Sequence, residues 1–162
     1  MCLQIETAFS VPVATARVAN AAFPRGNPYR KMRDLLGTLF KDEQFTKLFP
    51  PQGQPAEAPW RLALTSVFEF AEGLTDRQAA DAVRSRIDGK YAQGLERTDP
   101  GFHLSILAEF RARLVTKAAE TPLLDTLLTP STPPLLLTAQ GRHRPDTTPL
   151  PDAVRQLRPA GR

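Results

Sequence analysis

The placement of proline decides which parts of this chain can form regular structure. The chain has 16 prolines in 162 residues, and each proline fixes φ and removes a backbone hydrogen-bond donor. Twelve of them gather in two groups, at Pro50, Pro51, Pro55 and Pro59 and again from Pro122 to Pro159. Outside these groups, residues 25–128 show apolar residues at helical spacing and no sustained alternation of apolar and polar residues. The sequence therefore predicts an all-α fold, a small helical bundle.

The first predicted helix begins at Asn27-Pro28, because Asn is a good N-cap and Pro suits the first helical position. Its inward stripe is expected to contain five apolar residues at helical spacing, Met32, Leu35, Leu36, Leu39 and Phe40. A short second helix is predicted over residues 42–49, where Pro50-Pro51 ends it.

The strongest helix prediction runs from Pro59 to Gly73, with Trp60 as its largest inward-facing side chain. The next helix is expected to begin after Thr75, because Thr75 and Gln78 have the spacing of a capping box. These two helices and the short turn between them form a pair that resembles a helix-turn-helix.

Glycine and proline residues predict turns in the remainder of the chain. Turns are predicted near Gly89, Gly94 and residues 99–101, and a last long helix is predicted over Phe102–Leu114 with Ser105 as its cap. Residues 123–128 could add one or two helical turns. The resulting division is an N-terminal arm (1–24), a helical domain (25–128) and a Pro-rich, largely disordered C-terminal tail (129–162).

The charge and cysteine content limit the classes of partner and compartment. The net charge is +4 and the isoelectric point is about 9.6, a balance compatible with a polyanionic partner. The single cysteine, Cys2, excludes an intrachain disulfide and fits a reducing cytoplasm. No secretory signal or membrane-spanning stretch is evident, so we expect a cytoplasmic protein without membrane contact.

Basic residues on the later helices are the candidates for binding DNA. They are Arg77, Arg84, Arg86 and Lys90 around the second helix of the pair, and Arg111, Arg113 and Lys117 on the last helix. The alternative is that these arginines only solvate helix faces, since short-turn helix pairs occur in every helical domain. Glu69 and Glu72, three residues apart, are interpreted as a solvated helix end and not as a metal site.

Six strings taken in order carry a family resemblance: Ala22–Tyr29, Arg33–Phe40, Gly53–Leu64, Phe70–Val83, Thr98–Phe102 and Glu109–Leu114. Together they resemble the N-terminal InsH-like domain of bacterial DDE insertion-sequence transposases. The resemblance implies that the helical domain binds duplex DNA at transposon ends. It also implies a following RNase H-like domain, in which two Asp and one Glu hold two divalent metals such as Mg²⁺.

The resemblance places Asp146 at the position of the first catalytic aspartate. The second Asp and the Glu have no counterpart here, and Pro145 and Pro149 flank Asp146 where strand residues are expected. We therefore expect a truncated, DNA-binding fragment that needs no cofactor and is not an enzyme. The alternative is a protein-interaction module that self-associates or assembles with full-length transposase and inhibits it. Gly89, where the family has tryptophan, is expected to loosen the packing of residues 87–95.

Overall fold

The computed structural model describes residues 2–5 and 10–117. Within these residues the chain forms six α-helices and one 3₁₀ helix: α1 (Val13–Ala22), α2 (Pro28–Leu36), the 3₁₀ helix (Asp42–Leu48), α3 (Pro59–Glu72), α4 (Asp76–Ser85), α5 (Ile87–Gln93) and α6 (Leu104–Thr116). The same residues contain an isolated β-bridge between Cys2 and Pro55. The all-α prediction is confirmed. The segment predicted at 123–128, the tail from 129 and Asp146 lie outside the described residues.

Local capping explains where the helices begin and end. The Asn27 side chain accepts a hydrogen bond from the Tyr29 amide at 2.9 Å, as expected for an N-cap. At α4 the capping box is complete, because Gln78 N donates to Thr75 Oγ1 (3.3 Å) and Thr75 N donates to Gln78 Oε1 (2.9 Å). Gly73 ends α3 in the left-handed conformation, with φ 66°. These predictions are confirmed.

Helix α3 is the centre of the core. It contacts α4, α6 and the 3₁₀ helix, and it buries most of its residues, including Trp60, Leu64, Val67 and Phe68. Across from it, Phe45 of the 3₁₀ helix meets a ring of α6 edge-on. A helix that is apolar on several faces is stable only when neighbours cover those faces, so α3 requires the other helices around it.

Helix α1 was not predicted as a helix, and it lies inside the segment assigned to an N-terminal arm. It packs on α5, as does α2. The Thr15 hydroxyl donates to the Leu95 carbonyl at 2.7 Å, which ties α1 to the end of α5. Thr15 and Ala19 are its buried residues, and such small side chains give a weak apolar stripe in the sequence.

Three details of the prediction were wrong. Leu35 is 71% exposed, because the buried face of α2 is formed by Tyr29, Met32 and Arg33 and Leu35 lies off that face at 100° per residue. Gly89 lies within α5 and not in a turn, and α5 packs against α1, α2 and α4. The N-cap of α6 is His103, whose Nδ1 accepts from the Ser105 amide at 3.3 Å, so Ser105 is not the cap.

Candidate nucleic-acid interface

The α3–α4 pair is held together by an arginine from α6. Arg111 Nη1 donates to Glu69 Oε2 at 2.7 Å, and its Nη2 bonds Asp76 Oδ1. The Arg111 side chain is 8% exposed, and both carboxylates are largely buried as well. One guanidinium therefore joins the last turn of α3 to the first turn of α4, where a carboxylate also suits the helix N-terminus.

A second arginine makes a similar link to Glu72, about one turn further along α3. The Arg86 guanidinium donates to Glu72 Oε2 at 2.6 Å. It also donates to both carboxylate oxygens of Asp88, at 3.1 and 2.8 Å. Tyr29 of α2 also donates to Glu72, and Asn27 donates to Asp88 at 3.1 Å. These charge-assisted bonds raise the pKa of Arg86 and connect α2, α3 and α5.

Lys90 of α5 is the third predicted DNA-binding residue whose side chain bonds within the domain. It is 3% exposed, and its ammonium group donates to the Asp99 carbonyl. Burial lowers the pKa of Lys90, as expected when a charged group leaves water. Arg86, Lys90 and Arg111 were predicted to contact DNA. In the structure their side chains donate hydrogen bonds to groups within the domain, and their role in DNA binding stays a prediction.

The other four predicted candidates lie at the surface with different degrees of pairing. Arg84 reaches Asp81 at 3.7 Å and the Pro100 carbonyl at 3.2 Å. Arg113 pairs with Glu109 at 2.6 Å and donates to the Leu48 carbonyl at 3.2 Å. Arg77 and Lys117 are exposed and have no ion-pair partner within residues 2–5 and 10–117. The seven candidates therefore do not form one continuous binding surface.

Glu69 and Glu72, the two carboxylates of the last turns of α3, are each paired with an arginine. Glu69, expected at a solvated helix end, is 1% exposed and paired with Arg111. Glu72 is paired with Arg86. Among the described residues, no group of three His, Cys, Asp or Glu side chains is arranged to hold a metal ion. In the same part of the chain, no helix has the length and apolar character needed to cross a bilayer.

Comparison with known families gives one match, which covers the greater part of this helical unit. The family described as Transposase domain (DUF772) matches residues 17–113. The chain belongs to this family of transposase domains. The match begins inside α1 and ends inside α6, so it includes the α3-centred core except Leu114. No curated protein and no solved structure matches the chain. The narrower resemblance to InsH-like DDE transposases stays a prediction.

The transposase domain has a further set of exposed basic side chains that the site prediction missed. Arg17, Arg25 and Lys31 are exposed on α1, in the loop that follows it, and on α2. Residues 10–33 contain five arginines and lysines and no aspartate or glutamate. The uneven placement of positive charge in the sequence indicates this set of residues. The helix-turn-helix-like spacing of α3 and α4 had instead directed the prediction to that pair.

We expect Glu69 to make the transposase domain less stable as the pH rises towards neutrality. Burial raises the pKa of the Glu69 carboxyl to about 7, and its hydrogen bond with Asp76 acts in the same direction, while Arg111 opposes both. An unfolded glutamate titrates near ~4.3, so between these values the folded state alone holds the proton. The stability from this proton is complete below the unfolded pKa and is lost as the pH passes the folded one.

Thermal melts of the wild type and Glu69→Gln over this pH window would measure the effect. Because glutamine does not titrate, the variant should lose the decline in melting temperature that the wild type shows. Glu109→Gln, at an exposed position on α6, is the matched control and should keep it. A decline of equal size in wild type and Glu69→Gln would contradict the assignment.

Proposed function

We propose that this helical domain binds duplex DNA, as the N-terminal InsH-like region of a DDE insertion-sequence transposase. The observation that carries the proposal is its membership of a transposase domain family. A net charge of +4 supports it. So do five exposed cations that have no ion-pair partner in the part of the chain that the structure describes, at Arg17, Arg25, Lys31, Arg77 and Lys117. Such side chains can neutralise phosphates and release the counterions condensed on DNA.

A mobility-shift titration with duplexes of matched and scrambled transposon-end sequence tests this proposal. We expect binding that weakens with salt, with log K falling linearly in log[salt] by about 0.9 for each phosphate contacted. Preference for the matched ends would support recognition of the element, since phosphate contacts alone carry no sequence information. Negligible retention of both duplexes at low salt would contradict the proposal.

We also propose that the described helices contribute binding and not strand cleavage. The carboxylates of α3 that could serve chemistry, the buried Glu69 and the half-buried Glu72, are engaged by guanidinium groups. A metal ion would have to displace those arginines, each held by charge-assisted hydrogen bonds. Incubation of the protein with supercoiled plasmid and Mg²⁺ should therefore give no nicking. Magnesium-dependent nicks that disappear in Glu69→Gln would contradict this.

A second candidate function is protein interaction, as self-association or assembly with full-length transposase. The observation in its favour is the exposure of large apolar side chains, with Leu35 at 71% and Phe70 at 56%. Exposed apolar side chains that gather into a patch mark interaction surfaces. Light scattering across a concentration series would show a dimer if this candidate is correct. A monomer in wild type and in Leu35→Ser/Phe70→Ser would contradict self-association.

A further inference from the structure

We infer that the surface formed by α1, the loop after it and the start of α2 is the phosphate-contacting face of the domain, and not the α3–α4 pair. This inference rests on the proposed function and names the side of the domain that meets duplex DNA. It starts from the run of residues 10–33, which has five basic side chains and no acidic one. The fold divides these five into two groups with different roles.

Two of the five, Arg30 and Arg33, hold in place the helices that form the surface. Arg33 is buried and donates to the Ala92 carbonyl of α5 at 3.2 Å. Arg30 donates to the Phe23 carbonyl at 2.9 Å and also bonds Asn20, so it closes the C-terminal end of α1. Cations suit this end of a helix because its last carbonyls lack intrahelical partners. The two arginines therefore fix α1 and α2 relative to each other and to α5.

The other three cations, Arg17, Arg25 and Lys31, face solvent. Arg17 lies midway in sequence between the buried Thr15 and Ala19, which at 100° per residue places it on the opposite side of α1. The Lys31 side chain lies across Gly26, since a Cβ added there would sit 3.0 Å from Lys31 Cε. That contact places Lys31 beside the backbone that carries Arg25. None of the three has a salt-bridge partner among residues 2–5 and 10–117.

Carboxylates near this surface are already engaged. Asp34, one turn after Lys31 on α2, accepts a hydrogen bond from the Tyr91 hydroxyl at 2.5 Å. Asp88 is buried beneath α2 and paired with Arg86. Unlike this surface, α4 interleaves Arg77 and Arg84 with exposed Asp81. Within residues 10–33 a phosphate therefore meets three exposed cations and no carboxylate, with Asp34 at the border of the surface, whereas at α4 it meets Asp81 between Arg77 and Arg84.

The decisive experiment compares two triple variants that lose the same charge. The first is Arg17→Ala/Arg25→Ala/Lys31→Ala, and the second is Arg77→Ala/Arg84→Ala/Lys117→Ala. Each removes three positive charges from exposed positions, so the change in net charge is identical. The probe is a fluorescent random-sequence duplex, titrated by anisotropy at several salt concentrations, with circular-dichroism melts to confirm that both variants stay folded.

We expect the first triple to weaken binding on the order of tenfold or more, and to lower the salt slope by about one for each phosphate that is no longer neutralised. The second triple should stay within about threefold of wild type at the same salt. A charge-keeping variant, Arg17→Lys/Arg25→Lys, should bind as the wild type does, because a phosphate contact requires the charge. Should the charge-keeping variant fail to bind, the role of these residues is structural and the inference is wrong.

Two results would overturn the inference and leave the proposed function intact. One is strong wild-type binding that both triples weaken equally. The other is loss of binding in the second triple alone. If the wild type itself does not bind duplex DNA, the proposed function fails, and this surface has no role in DNA binding.

Discussion

Replacing Arg111 with alanine is expected to destabilise the domain by about 3–5 kcal/mol, the usual cost of removing one partner from a buried ion pair. The variant leaves the Glu69 and Asp76 carboxylates close together in the interior without the guanidinium that bonds both. A loss of that size approaches the whole stability of a small domain, about 5–15 kcal/mol. Urea titration followed by circular dichroism would measure it, with a much lower midpoint expected.

Arg113→Ala is the matched control for this prediction, two residues further along α6. Its guanidinium pairs with Glu109 at 2.6 Å, but Arg113 is only half-buried and Glu109 is exposed. Exposed pairs contribute about 0–1 kcal/mol, so this variant should stay close to wild type even though it also loses a bond to the Leu48 carbonyl. Equal midpoints for the two variants would refute the structural role given to Arg111.

Trp60→Ala is expected to cost about 3–5 kcal/mol, the range for deleting a buried aromatic side chain. Trp60 is 1% exposed in the first turn of α3, and the guanidinium groups of Arg33 and Arg61 lie over its ring at 5.8 and 5.0 Å. The truncation therefore opens a cavity and removes two cation–π contacts. Denaturant unfolding would measure the free energy, and a lower amide-exchange protection across α3 should accompany it.

Phe70→Ala provides the comparison on the same helix. Phe70 is 56% exposed, and surface substitutions away from special features change stability by about 0.5 kcal/mol or less. Helix propensity also favours alanine at this position. If Phe70→Ala costs as much as Trp60→Ala, then α3 does not bury the face that the structure gives it.

The beginnings and ends of helices could be predicted because they depend on neighbours in the sequence. Asn27, Gly73 and Thr75 with Gln78 act through hydrogen bonds with backbone groups at most four residues away, so local spacing is sufficient to find them. Helix α1 was missed because its buried residues, Thr15 and Ala19, are small. Its stability comes from packing on α5, which no short window contains.

The roles of the basic residues could not be predicted, because burial of a charge depends on partners far along the chain. Arg111 meets Glu69 across 42 positions and Asp76 across 35. In a sequence pattern, Arg111 and Arg113 are equivalent members of one helix. The fold separates them, placing the first in the interior and the second at the edge. The high density of positive charge over residues 10–33 can be recognised in the sequence, but only the fold shows which of those side chains face solvent.

The docking of α1 on α5 has a consequence for how the protein is made. Thr15 bonds the carbonyl of Leu95, 80 positions later, so α1 leaves the ribosome long before its partner surface exists. A ten-residue helix is marginal in water by itself. Helix α1 is therefore synthesised before the surface that orders it, and nascent chains halted before residue 87 should leave residues 13–22 open to proteolysis.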